Sequence, residues 1–542
     1  MKACSRAATM SSIRGLSVHP KDLLGLVFRF LSKVPGIPPT LLKKLHKNEY
    51  AQTPAIELET VVSTLLELPN DMLMNIFATL DIPDLIRVGS VCSTLHAAYT
   101  SLRDPRLYKH SETPCLFYTS ESAGENVGCI YSVVDQSEYR ITLPEPPIRN
   151  RFLIGSSNGW LITADERSEL HLVNPFTGEQ VALPSVITIE QVKPIFDDLG
   201  NVHKYQLSFY TEEKVYKAPE IYTLNDLREY IYYKAFVFPD SSTGHYIVVL
   251  IHNPYGQLSF VRSGDDKWTW LPSNAGYKDC TYMDGLLYAV TSVGEIDAFD
   301  LTSTTVTRKV IMDKVKNGSY ENMYIILAPW GDLLQVWRTV DHPSHANDNV
   351  DSLGMANAPG HEDEDADARE NSPAARVRYV TNNIVVYKVN MEAKELVKIN
   401  SLPDHILFLG HHQSLCLGAA KHPQLKANHA YFTDDYEDLI QALKNDIRDI
   451  GVINLENRRR AAIGSQIWSN WPCPTWIIPN LRKTNLAFSK QVPEAVVFLT
   501  GGRYPRPEHV ARSHPASYGP CIFYGTKIGV HNAQFMEGHY KF

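Results

Sequence analysis

FLIGSSNGWLIT, residues 152–163, admits two incompatible readings. Gly155, Ser157 and Gly159 fit G-x-S-x-G, which in α/β-hydrolases presents a nucleophilic serine on a strand-to-helix turn. The same stretch also divides into two apolar runs around Asn158-Gly159. Asn-Gly favours a type I′ hairpin, because both central positions need positive φ. The sequence downstream decides between them. Trp160 to Thr163 is followed by a polar loop and then by LHLVNPFTG, residues 170–178, with no helical stripe. Ser157 is therefore expected to be a turn residue without a catalytic base, and the stretch a strand hairpin.

The hairpin recurs. TYMDGLLYAV, residues 281–290, places Asp284-Gly285 between apolar runs, and EIDAFDL, residues 295–301, follows. Fainter copies lie at 246–261 with 267–272, and at 323–340 with Trp330-Gly331 at the turn and 384–390 beyond an insertion. A further copy lies at 406–418 with 430–436 and 451–457. Groups of short strands repeating at about 40–50 residues suggest a β-propeller, whose blades are four-stranded sheets. About six or seven blades fit between 115 and 480. An irregular β-sandwich is the alternative, and it explains the repeated hairpin-plus-strand pattern less well.

Residues 341–376 interrupt the strands with a polar segment that is densely acidic from Glu362 to Glu370. Low hydrophobicity and clustered charge predict a disordered loop. Residues 490–542 fit no repeat and are expected to be a poorly ordered tail. Residues 1–62 are expected to be a mostly disordered extension. Its first 21 residues lack Asp and Glu but hold Lys2, Arg6, Arg14 and Lys21, a transit-like composition.

Before the strands, residues 63–108 have helical period. Pro69 suits a first turn, where its missing N–H costs nothing. Leu73, Ile76, Phe77 and Leu80 follow at amphipathic spacing. Asp81 to Asp84 breaks the helix, and Leu85, Val88, Val91, Cys92 and Leu95 form a second stripe. Two or three short helices in about 40 residues rarely fold alone. Their apolar faces need either a partner or the rest of this chain.

Bulk composition excludes several classes. The 542 residues carry a net charge of -8, which argues against a nucleic-acid binder. No apolar run reaches the roughly 18 residues that span a bilayer. The 8 cysteines contain no C-x-x-C, so no zinc framework or thioredoxin-like motif is visible. No phosphate loop appears, since Gly501-Gly502 lacks the following Lys-Ser/Thr. His411-His412 would point to opposite faces of a strand, one inward and one outward, a poor chelating pair. Asp434-Asp435 is expected to be a pair of solvated or capping turn acids rather than a cation site. Trp468, Trp471 and Trp476, with Pro472, Pro474 and Pro479, are expected to pack the last blade. No cofactor and no metal is called for.

Two resemblances sharpen this. LPNDMLMNIFATLDIPDLIRVGSVCSTLHAA, residues 68–98, resembles an F-box, with Leu95 where that family usually has Trp. The hairpin at 155–184, YMDGLLYAV, YFTDDYED and NWPCPTWIIP resemble landmarks of a plant family, the domain of unknown function 295 or KIB-type β-propeller. The fold implied is a small all-α F-box module followed by an all-β propeller. The resemblance implies a non-catalytic substrate-receptor subunit of a Skp–cullin–F-box ubiquitin ligase, cytoplasmic or nuclear. Its partners would be a Skp-type adaptor, through it a cullin, and a target protein, with no nucleic acid and no membrane. The implied adaptor-binding residues are Leu68, Pro69, Leu73, Ile76, Phe77, Leu80, Leu85, Val88, Val91 and Cys92. Substrate-binding residues are not implied. The alternatives are an organelle-targeted propeller outside any ligase, and a hydrolase using Ser157.

Overall fold

The computed structural model describes residues 68–78, 80, 82–89, 93–103, 113–134, 136–240, 245–271, 276–303, 305–315, 321–341, 380–435, 448–463, 472–481 and 499–500. The N-terminal extension, nearly all of the acidic insertion and nearly all of the C-terminal tail lie outside these residues, as do Val91, Cys92, Trp468 and Trp471.

Among the described residues three short helices come first: α1 (Asn70–Phe77), α2 (Ile82–Gly89) and α3 (Ser93–Leu102). Pro69 is the residue before α1, and its carbonyl accepts the first helical bond from Leu73 N at 3.1 Å. The apolar stripes turn inward. Leu73, Phe77, Leu85, Val88, Leu95, Ala98 and Leu102 are all buried, and they share one core with Phe117, Ile141, Leu161 and Ile477 of the strands. Leu95 is 3% exposed, so a leucine fills the position where the F-box pattern has Trp.

Among the described residues the strands form seven sheets. Six make a ring, because their innermost strands pack on one another in succession. These are β28 (Thr475–Ile477), β4 (Phe152–Ser157), β11 (Tyr232–Asp240), β15 (Tyr277–Met283), β19 (Glu321–Leu327) and β24 (Leu415–Gly418). Apolar layers fill the seams between neighbouring blades, and a layer joining Leu116, Phe408 and Trp476 closes the circle. The last ring strand also pairs with the first: β28 lies antiparallel to β1 (Cys115–Thr119), with Trp476 opposite Leu116. Trp476 is 1% exposed and meets Phe408 edge-on at 5.1 Å. The blade count is therefore six.

The hairpin expected at 152–163 is present as β4 and β5 (Trp160–Ala164), with Asn158 at φ 50 and Gly159 at φ 86. Asp284 and Gly285 repeat it at φ 50 and φ 87. The blade split by the acidic insertion is also complete, because β20 (Leu333–Asp341) pairs with β21 (Val380–Asn390) across it. Leu499–Thr500 adds a short edge strand, β29, to β3 (Ser137–Thr142).

The seventh sheet is not among the repeats read from the sequence. Strands β8 (Val192–Phe196), β9 (Val202–Tyr210) and β10 (Val215–Thr223), in the order β10-β9-β8, are inserted between two blades. One face is glued to the ring by Tyr205, Leu207 and Phe209. The Tyr205 hydroxyl donates to the Arg167 carbonyl at 2.8 Å, and Gln257 Nε2 donates to the Tyr210 carbonyl at 3.0 Å. Both outer strands carry a proline, Pro194 and Pro219. Proline cannot donate to a ladder, which suits sheet edges and blocks further pairing. The other face leaves Val215 and Ile221 more than half exposed, and Phe196 at the end of β8 and Leu199 in the β8–β9 turn are exposed as well.

Candidate functional site

Ser157 ends β4 and is 4% exposed. It is not a turn residue, and it faces no base. Its Oγ lies 2.7 Å from the Val237 carbonyl and 2.8 Å from Gln413 Oε1. Neither group can take a proton from a nucleophile. The two outer glycines of the motif have packing reasons. A Cβ on Gly155 would sit 2.9 Å from the His411 carbonyl oxygen, and one on Gly159 would sit 2.3 Å from Asn480 Cβ.

Gln413 belongs to a loop, 410–414, that enters the ring axis. Its backbone N donates to the Ser156 carbonyl at 2.9 Å. Ser414 Oγ donates to Asp279 Oδ2 at 2.8 Å, and Ile325 N donates to the same oxygen at 3.1 Å. Asp279 Oδ1 pairs with Lys234 Nζ at 3.0 Å, with both side chains buried. The loop is thus bonded directly to β4 and β15, and through Asp279 to β11 and β19. Burial pushes the Asp279 carboxyl up from the usual range, and Lys234 opposes that push.

The loop carries His411 and His412, and both are buried. The expectation of one inward and one outward imidazole fails, because these residues bend across the axis instead of lying in a strand. Burial, aided by Lys234, lowers His411 to about 4, and His412 falls well below its ordinary value for the same reasons. Both are neutral at physiological pH. Among the described residues no group of three His, Cys, Asp or Glu is placed to hold a metal ion.

Asp434 and Asp435 also depart from expectation. Their side chains are 15% and 8% exposed, so neither is solvated. Asp435 Oδ1 pairs with Arg338 Nη1 at 3.0 Å, and Asp434 Oδ2 lies 3.6 Å from Arg448 Nη1. Arg338 also pairs with Asp449 Oδ2 at 3.0 Å and donates to Thr381 Oγ1 at 2.8 Å. Burial alone would lower the Arg338 pKa. Tyr324, Asp435 and Asp449 outweigh it and hold the guanidinium charged.

These groups surround a pocket on the axis, lined by Tyr233, Lys234, Lys278, Tyr324, His411 and Asp435, together with Asn322 and Met323. The lining residues of β11, β15 and β19 come from the starts of those strands, so the pocket opens at the mouth where inner strands begin, termed upper. The inserted sheet occupies the connection that leads into β11 and lies on that side. The helical module is anchored at the lower mouth. Arg103, just after α3, donates from Nε to the Leu481 carbonyl at 2.9 Å and reaches Glu179 at 3.7 Å. Leu481 follows the end of β28, and Glu179 precedes β7 (Gln180–Ala182) on the same side.

The residues expected at an adaptor interface divide by exposure. Leu73, Phe77, Leu85 and Val88 are 0–3% exposed and belong to the chain's own core. A fully buried side chain has no surface to add to a contact. Pro69 is exposed, Leu68, Ile76 and Leu80 are half-buried, and Met72 is 48% exposed. Met72 lies outside the expected set; it sits one turn before Ile76, on the exposed flank of the stripe.

The KIB1-4 β-propeller family matches residues 130–454. The chain belongs to that family. An F-box-like family matches residues 65–111 in front of the KIB1-4 propeller. F-box protein KIB4 of Arabidopsis thaliana is 28% identical over 173 residues, 31% of this chain and 42% of that protein. F-box protein At5g25290 of the same plant is 26% identical over 263 residues, 45% of this chain and 58% of that protein. The alignments therefore span less than two thirds of either relative. Among solved structures, the β-propeller domain of Cps50 (Swd1) from Myceliophteria thermophila aligns at a TM-score of 0.22 and 10% identity, over 53% of this chain and 86% of that one. A likeness that weak carries no argument. Among the described residues no helix is long and apolar enough to cross a membrane.

Proposed function

We propose that the chain is the substrate-receptor subunit of a Skp–cullin–F-box ubiquitin ligase. The F-box helices would hold a Skp-type adaptor, and through it a cullin, by Leu68, Pro69, Met72, Ile76 and Leu80. The propeller would hold a target protein at its upper mouth. The observation that carries this is the placement of the two ends: Arg103 fastens the helical module to the lower mouth, and the axial pocket opens at the upper one. A target bound above would not compete for space with an adaptor bound below.

The mechanism is proximity. A receptor that holds a target near a ubiquitin-charged enzyme raises its effective concentration and performs no covalent step itself. The family match and the F-box-like match support this reading. The test is co-purification of the full chain with a Skp-type adaptor. Wild type should capture it, and Leu68→Ala/Pro69→Ala should lose it. Equal capture by both, or by neither, removes the proposal.

A further inference from the structure

The upper pocket has an unbalanced charge. Asp279 neutralises Lys234, Arg338 neutralises Asp435, and Arg460, 2.6 Å from Asp449, neutralises that second partner of Arg338. Lys278 makes no ion pair among the described residues. It stands with its Nζ 4.5 Å over the Tyr233 ring, at the pocket wall. The local excess is one positive charge in a chain whose net charge is -8. Lys234 is the second observation. It is 3% exposed, its ammonium offers three donors, and among the described residues only Asp279 accepts one of them. A buried ammonium with unused N–H bonds favours an acceptor, and an anionic one most. The neighbouring His411 is neutral and adds no competing charge.

The space is small. The cavity volume of ≈ 10 Å³ is about that of one water-sized group. It is the size of a single oxygen atom of an anionic side chain whose remainder stays outside.

We propose that the upper pocket takes the oxyanion tip of one residue of the bound target, an Asp, a Glu or a phosphorylated side chain. Lys234 would donate from below and Lys278 from the rim, with Asn322 and Tyr233 shaping the opening. Lys278 would be the specificity residue, since Lys234 is locked to Asp279. This deepens the receptor reading and rests on it.

The experiment uses the purified full chain and immobilised short peptides with randomised flanks. Their central residue is Asp, Glu, phosphoserine, Asn, Gln or Ser. Acidic or phosphorylated centres should be retained about tenfold or more over their neutral counterparts, the scale of a charge-assisted hydrogen bond. The Asp/Glu and phosphoserine arms separate the two sources of oxyanion. Lys278→Ala should abolish the preference with unchanged melting, and Lys278→Glu should turn it toward Lys and Arg centres. Retention of neutral centres by wild type, or an unaltered preference in Lys278→Ala, overturns the pocket assignment and leaves adaptor capture standing. Retention of no peptide overturns the upper mouth as a receptor surface altogether.

Discussion

Gln413 and Ser157 meet on the propeller axis at 2.8 Å although 256 positions separate them. The serine hydroxyl is therefore a structural bond between the axial loop and β4. Ser157→Ala should cost about 1 kcal/mol, the net worth of one hydrogen bond, because the Val237 carbonyl and Gln413 Oε1 keep Asn158 Nδ2 as a donor. Urea unfolding of the full chain measures this. No ester hydrolysis should disappear with the hydroxyl; a hydrolytic activity abolished by Ser157→Ala would restore the nucleophile.

Arg338 should be far more sensitive. It pairs with two buried carboxylates; Arg338→Met would strand Asp435, while Asp449 keeps Arg460 Nη2 at 2.6 Å. Breaking one partner out of a buried ion network costs about 3–5 kcal/mol. Adding Asp435→Asn to Arg338→Met should recover part of that loss, because the uncompensated charge is then gone. Chemical denaturation of the single and double variants decides it, and a double variant weaker than the single would refute the electrostatic cause.

Acid should loosen the ring before it touches most carboxylates. Burial lowers His252 and His411 to about 4, and His412 shifts the same way. His252 is bonded as a neutral ring, between the Asn253 carbonyl and Ser259 Oγ at 2.9 Å each. In the unfolded chain these rings take up protons near 6.5. Between about pH 6.5 and 4 the unfolded state thus binds more protons than the folded one, and stability falls as pH falls. Above about 6.5 these three groups should give no pH dependence. Melting temperatures across that range check the sign. His411→Gln and His252→Gln should flatten the slope.

The F-box positions should separate into two kinds. Phe77 is fully buried, so Phe77→Ala should cost about 3–5 kcal/mol in the helical module. Met72 is half exposed, so Met72→Ala should change stability by no more than about 0.5 kcal/mol. Adaptor capture should nevertheless weaken in Met72→Ala. Melting curves and adaptor pull-down on the same two variants test this, and a Met72→Ala protein with full capture would move the contact elsewhere.

Local chemistry was readable in the sequence where it was self-contained. Asn158-Gly159 and Asp284-Gly285 announce their turns because two adjacent residues set the required φ values. The helical stripes likewise announced buried faces, but not what would cover them. Leu73 and Phe77 turn out to be covered by their own helices and by the first blades. Asp434-Asp435 looked solvated because the arginines that bury them, Arg338 and Arg448, are not their sequence neighbours in the strand pattern. His411-His412 looked like strand residues because the apolar runs on either side are strands. The sheet β8–β10 left no signal because it matches none of the repeated hairpins.

The pairing of β28 with β1 sets an order of assembly on the ribosome. Leu116 is made early and must wait for Trp476 before the ring can shut. The helical module waits as well, since its core includes Ile477 and Leu481, and Arg103 is tied to the Leu481 carbonyl. A chain cut short before Thr475 would therefore expose both an open propeller and a loosely seated F-box. Firm seating of the F-box-like helices becomes a mark that synthesis has passed Leu481.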